Sequence, residues 1–175
     1  MRSKLRRAYL ASAWMLAALV LAGCGPGVGG TGTGAALAAF GASAAPVCGG
    51  DVATVLVCPS APAAPPPASG TLQVQFADVA GQLVLELNGN LAQFDDSCLK
   101  LHFSGEFGTV AGGAQGFFGS YELDSNGVDV LAALSTVPAA GGALTIELKN
   151  VAGQTVVAPV LLQRLTVPLT APAPC

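Results

Sequence analysis

Between residues 71 and 149, apolar and polar side chains trade places at every other position. No other property of the chain restricts its fold as tightly. Leu72, Val74 and Phe76 alternate with Gln73 and Gln75. Leu83, Leu85 and Leu87 alternate with Glu86 and Asn88, with Val84 breaking the polar side. Leu99, Leu101, Phe103 and Phe107 alternate with Lys100, His102, Ser104 and Glu106, and Leu144, Ile146 and Leu148 with Thr145, Glu147 and Lys149. Successive strand side chains point to opposite faces, so each run predicts a strand with one face buried and one wet. Turn residues separate the runs: Val79-Ala80-Gly81, Asn88-Gly89-Asn90, Ser125-Asn126-Gly127, Ala140-Gly141-Gly142 and Ala152-Gly153. Asn-Gly between alternating runs is a strong hairpin signal, and it occurs twice.

Three less regular segments complete the pattern: Phe117–Leu123, the apolar Val128–Leu134, and Val156–Leu169, which Pro159 and Pro168 interrupt. Proline removes a ladder donor, so these two positions predict strand ends, a bulge or an edge. No helical period competes. The fold expected for residues 71–175 is all-β, an antiparallel sandwich or small barrel. The layout loosely resembles immunoglobulin-like sandwiches and lipocalin-like barrels, but it lacks the core Trp and the core Cys pair of the former.

Upstream the texture is different. Residues 24–46 are almost wholly Gly, Ala, Thr and Ser and read as a disordered, flexible tether. Gly27-Val28-Gly29-Gly30-Thr31-Gly32 matches a dinucleotide-binding glycine pattern literally, but no strand precedes it, so the tether reading stands. Ala35–Phe40 is too short to hold a helix unaided. Residues 47–58 read as a small loop closed by cysteines, whose apolar run Val52–Val57 could pack on the main domain as an edge strand or a short helix, and residues 59–70, with Pro59, Pro62 and Pro65-Pro66-Pro67, as a stiff linker.

At the N-terminus, Arg2, Lys4, Arg6 and Arg7 precede an uncharged run from Ala8 to Leu21. That run is shorter than the roughly 20 residues a membrane span needs. A basic start, a short apolar core and small residues at its end read as a secretory signal over residues 1–23. Leu21-Ala22-Gly23-Cys24 resembles the lipobox of bacterial lipoproteins. The resemblance implies cleavage before Cys24, a diacylglyceryl group on its sulfur and an acyl chain on the new amine. Several acyl chains anchor stably where one does not. Gly25 stands where Asp would signal inner-membrane retention, so the same resemblance implies the outer membrane, facing the periplasm or the exterior.

With Cys24 assigned to lipid, Cys48, Cys58, Cys98 and Cys175 remain, an even number in an exported chain. Thiols pair in that compartment. Four cysteines allow three connectivities, of which Cys48–Cys58 with Cys98–Cys175 is favoured. No Cys-x-x-Cys pair supports zinc.

Losing the leader removes four of the seven basic residues and none of the ten acidic ones. Lys100, Lys149 and Arg164 then face ten carboxylates, three against ten, a net charge of −7. Such a chain has no electrostatic footprint for nucleic acid. His102, the only histidine, lies on a polar strand face with Lys100 and Glu106 as same-face neighbours; it reads as a solvated residue. No Gly-x-Ser-x-Gly motif accompanies it. Asp95-Asp96 reads as a loop and turn start. Asp124 to Asp129 follows the first half of a calcium loop but lacks its closing Glu, and reads as a hairpin turn. The six glycines from Gly105 to Gly119 read as a loose loop in preference to close backbone approach on strands or a ligand mouth, and Phe117 or Phe118 as the candidate for an exposed binding patch. The expectation is a non-enzymatic envelope lipoprotein with no cofactor and no metal, held to the membrane by lipid and presenting a β-domain to a protein or envelope polymer. The alternative is a lipocalin-like carrier of a small apolar ligand.

Overall fold

Every second residue of the strands is buried, as the alternation requires: Val74 and Phe76, Leu85 and Leu87, Ala92 and Phe94, Leu101 and Phe103. The computed structural model describes residues 33–56, 58, 73–124 and 127–175. The leader, Cys24, the Pro-rich linker and the tip of the Ser125-Asn126-Gly127 turn lie wholly or partly outside these residues. Helix α1 (Thr33–Ala39) and strand β1 (Ala42–Ala44) come first, then eight strands: β2 (Gln73–Ala77), β3 (Leu83–Asn88), β4 (Leu91–Asp96), β5 (Leu101–Val110), β6 (Gln115–Leu123), β7 (Val130–Ala139), β8 (Ala143–Asn150) and β9 (Thr155–Arg164). Each of the eight pairs antiparallel with the next. β9 then returns to β2 through Phe76↔Arg164 and Ala77↔Gln163. The sheet is therefore a closed eight-stranded antiparallel barrel, not a sandwich. Closure removes the exposed edges that an open sheet would leave for aggregation.

Local chemistry sets the register. Asn88 pairs with Leu91 across the two-residue loop Gly89-Asn90, and Gly89 has φ +59°. A positive φ at the first loop position is the type II′ geometry, which matches the twist of the flanking strands. Pro159 sits where Ala158 and Pro159 together oppose Glu147 alone, a bulge in the β8–β9 ladder. The bulge absorbs the missing amide donor.

The interior is filled by side chains. Phe76, Phe94, Phe103, Phe107 and Phe117 are fully buried, together with Leu85, Leu87, Leu134, Leu144, Ile146, Leu148 and Leu162. Phe107 and Phe117 meet edge to face, 5.1 Å between ring centres. Eight strands enclose about as much space as inward side chains can fill. Room for five rings comes partly from glycine. Gly105 and Gly119 face each other across β5 and β6. A Cβ at Gly105 would stand 2.5 Å from the Phe103 ring, and one at Gly119 would overlap the Ser104 carbonyl oxygen. Gly105–Gly119 is thus no loose loop. It forms two long strands, whose glycines let backbone and rings approach closely.

The segment before β2 also departs from expectation. From Thr33 onward the chain is built onto the barrel rather than hanging free as a tether to residue 46. Ala36 and Leu37 of α1 pack with Phe118, Leu131 and Ala133 on the outer wall, and β1 pairs with Gly108–Val110. This contact is what a seven-residue helix needs, since so short a helix is unstable alone. It also buries Phe118 to 5% exposure, and Phe117 is wholly internal. Neither ring forms an exposed patch. Residues 47–56 with Cys58 form short helical turns packed on the barrel, one of the two forms open to this disulfide loop. Val47, Val52, Val55 and Leu56 join the barrel's own core cluster and cap one end. Three long-range hydrogen bonds seat this cap: Val47 N–H to Asn90 Oδ1 (2.9 Å), Asp51 N–H to Gln115 Oε1 (2.9 Å) and Arg164 Nη1 to the Val55 carbonyl (3.3 Å).

After β9 the chain runs back along the outside of β2 and β3 as a strap. The Leu165 amide donates to the Gln75 carbonyl, Leu169 N–H to Gln75 Oε1, and Ala173 N–H to the Gly81 carbonyl. Between these fixed points the strap passes over Ala77 and Val84. Both face outward by register yet are buried (1% and 6% exposed). The disulfides are Cys48–Cys58, within the cap, and Cys98–Cys175, which pins the strap to the far end of the barrel.

Candidate functional site

The β4–β5 turn is where the structure gathers chemistry. Asp95 and Asp96 close β4 rather than lying in a loop. Adjacent strand residues face opposite ways: Asp95 points out, while Asp96 is buried to 6% exposure. Asp96 Oδ1 accepts from the amides of Cys98 and Leu99, both at 2.9 Å, which organises the turn. Lys100 ends it at φ +51°, the one positive φ at a non-glycine residue among those described. Its carbonyl accepts from the Asp124 amide at 3.0 Å, drawing the end of β6 alongside.

Counting outward from this turn puts Asp95 opposite His102. His102 Nδ1 lies 2.7 Å from Asp95 Oδ1. The carboxylate only accepts, so Nδ1 carries the hydrogen and Nε2 is left uncommitted. Both side chains are substantially exposed (45% and 40%), so the pair contributes about 0–1 kcal/mol. On the other flank His102 pairs by register with Glu122.

These groups border a cavity of about 200 Å³. Leu101, only 2% exposed, forms apolar lining, and Pro172 of the strap contributes to the wall. Asp95, Asp96, Ser97, Lys100, His102 and Asp124 supply the polar groups. Ser97 Oγ is buried and has no hydrogen-bond partner. Neither Lys100 nor Asp124 has an ion-pair partner among the described residues. Carboxylates outnumber the one ammonium, so the cavity carries net negative charge.

Sequence reasoning placed His102 on a polar face and stopped at its same-strand neighbours. Its partner lies on the adjacent strand, and Ser97 and Asp124 reach it only through the turn. Centring a four-residue turn on 97–100 would have exposed the Asp95–His102 pairing. A histidine beside a carboxylate can shuttle a proton, but among the described residues no hydroxyl or thiol is hydrogen-bonded to His102 as a nucleophile would be. Among the described residues no three His, Cys, Asp or Glu side chains are placed to hold a metal ion. Asp124 and Asp129 bracket the β6–β7 connection, and the Ser120 hydroxyl lies 3.5 Å from Asp129 Oδ1.

No protein-family model matches the chain, and no match is found among curated proteins or solved structures. The barrel, its two staples and this cavity are therefore the basis for a functional reading. Among the described residues no helix is long and apolar enough to cross a membrane. The two disulfides indicate folding in an oxidising compartment.

Proposed function

We propose that the protein is an exported, lipid-anchored envelope protein that displays a rigid, non-enzymatic β-barrel for contact with a protein or polymer of the cell envelope. The observation that carries this reading is the use of cysteine. Both disulfides brace the barrel, and together they consume every cysteine except Cys24, the residue at the lipobox-like site. On this reading Cys24 bears the acyl chains at the outer membrane. The described chain is already packed on the barrel from helix α1 onward.

Two measurements test it. Intact mass of the membrane-extracted protein should match a chain beginning at Cys24 with added acyl mass. Cross-linking in cells followed by capture should retrieve an envelope component, and Cys24→Ala should abolish anchoring. An intact Met1 would sink the localisation.

A second reading rests on closure itself. An eight-stranded barrel is an architecture compatible with carriage of a small apolar ligand. Here five phenylalanine rings occupy the interior and Val52 and Leu56 cap it, so a ligand would have to displace side chains. Saturable binding of an apolar fluorescent probe, with a shift in the near-UV phenylalanine signal, would favour the carrier over the display module.

A further inference from the structure

The cavity beside the β4–β5 turn has features that the fold does not require. A turn needs neither a left-handed lysine nor a buried hydroxyl without a partner. The first holds the backbone in a strained region, and the second leaves a desolvated group unpaired. Both line the same hollow, where Asp95 fixes His102 and where the side chains of Lys100 and Asp124 have no ion-pair partner among the described residues. Strain and unmet hydrogen bonding that coincide at one concavity are the marks of a binding site.

We propose that this cavity binds a single sugar-sized, hydroxyl-rich unit, neutral or amine-bearing, of an envelope polymer. The inference rests on the display reading above and names its partner's chemistry. Size is the first argument. About 200 Å³ is smaller than the roughly 300–1,000 Å³ of drug-sized sites, so one small ring fits and a long ligand does not. The second argument is the mixture of groups. Asp95, Asp124 and His102 Nε2 accept, Lys100 donates, and Ser97 Oγ does both. Alternating donors and acceptors around one hollow suit a ring bearing several hydroxyls. Charge is the third argument. Three carboxylates against one ammonium favour an amino sugar and oppose an acidic one. The fourth argument is access. Asp95 and His102 face outward by register and are substantially exposed, so a ring within a polymer reaches them without threading. The Pro172 wall is held by the neighbouring Ala173 N–H to Gly81 carbonyl bond and by Cys98–Cys175.

Glucosamine and glucuronic acid are the probes, titrated against the oxidised, full mature chain while backbone amide resonances are followed. Glucosamine should shift Ser97, Lys100, His102 and Asp124 saturably, with a dissociation constant on the order of millimolar, as befits so small a ligand. Glucuronic acid should not. Ser97→Ala should weaken glucosamine binding about three- to tenfold, one hydrogen bond's worth, without lowering the melting temperature, because the hydroxyl it removes is unpaired in the fold. Lys100→Gly should weaken binding similarly while relieving the left-handed strain. The proposal is overturned if glucosamine causes no saturable shift at tens of millimolar, if both variants bind like the native chain, or if glucuronic acid binds as well. The display reading fails separately, when the cross-linked native chain captures no envelope component. Capture that persists unchanged in Ser97→Ala and Lys100→Gly leaves the display reading intact and removes the cavity from it.

Discussion

At one end of the barrel, Val47, Val52, Val55 and Leu56 drop into the core and a ten-residue disulfide loop holds them there. At the other, Asp95, Lys100, His102 and Asp124 stay in water around a hollow, and a disulfide spanning 77 residues ties the strap beside them. The same barrel is thus finished in two ways. The cap end spends its sequence on burial, and the polar side chains of Asn90, Gln115 and Arg164 there are used to seat the cap. The turn end keeps its charges solvated, so its order has to come from elsewhere: the Asp96 turn bonds, the Lys100–Asp124 backbone link and the covalent strap. The contrast teaches that stability and chemistry are separated along the barrel axis.

The contrast breaks if the two staples prove interchangeable. In the chain-entropy model, a cross-link closing 77 residues is worth about 4.5 kcal/mol and one closing ten about 2.7 kcal/mol. Replacing Cys98 and Cys175 by serine should therefore lower unfolding free energy more than replacing Cys48 and Cys58, by about 1.8 kcal/mol. Chemical denaturation of the two double variants measures this directly. Equal losses would mean the strap adds nothing beyond local order. Next in size is Leu56→Ala, at 3% exposure. Truncating a buried leucine costs about 2–5 kcal/mol, and here the loss should appear with native-like amide shifts at the β4–β5 turn. If that turn moves as well, the ends are coupled.

Much of this was written locally in the chain. Strands β2, β3, β5 and β8 follow from period-two alternation, the β3–β4 hairpin from Asn88-Gly89, and the bulge from Pro159. Closure was not legible, because Phe76 and Arg164 meet 88 positions apart and no local signal encodes that distance. The role of Gly105 and Gly119 was legible only as the weaker of two readings. Glycine-rich sequence looks like a loop until the Phe103 ring and the opposing strand are known to fill the place of a Cβ. A turn or two of helix at 35–40 was open from the sequence but needed support from elsewhere, and β1 was hidden: Ala-rich residues carry little pattern of their own and take their order from Phe118 and Val110 on the barrel wall. At the site, the composition of the turn was visible but the pairing of His102 was not, since it depends on strand register.

Gly50→Ala sharpens the comparison at smaller scale. Gly50 has an ordinary extended backbone, φ −101°, so only space opposes the change. An added Cβ would stand 2.5 Å from the Phe107 ring and 2.7 Å from Gln115 Oε1. Phe107 is fully buried and cannot swing away. The expected cost is about 1–3 kcal/mol, typical of overpacking, with faster amide exchange confined to Val47–Leu56. Exchange that rises around the whole barrel would show that the cap is part of one cooperative unit rather than a seated lid.

The smallest effect belongs to the turn end. His102→Ala removes an ion pair that is nearly half exposed on both sides, so unfolding free energy should change by less than about 1 kcal/mol. Ionic strength should have little influence on the result, because so little is at stake. The same substitution removes Nε2 from the hollow, so any loss of glucosamine binding would appear without a loss of fold. A destabilisation of several kcal/mol would mean instead that the Asp95–His102 contact is needed to hold β4 against β5. The turn end would then be carrying structural weight like the cap end, and the division of labour between them would not hold.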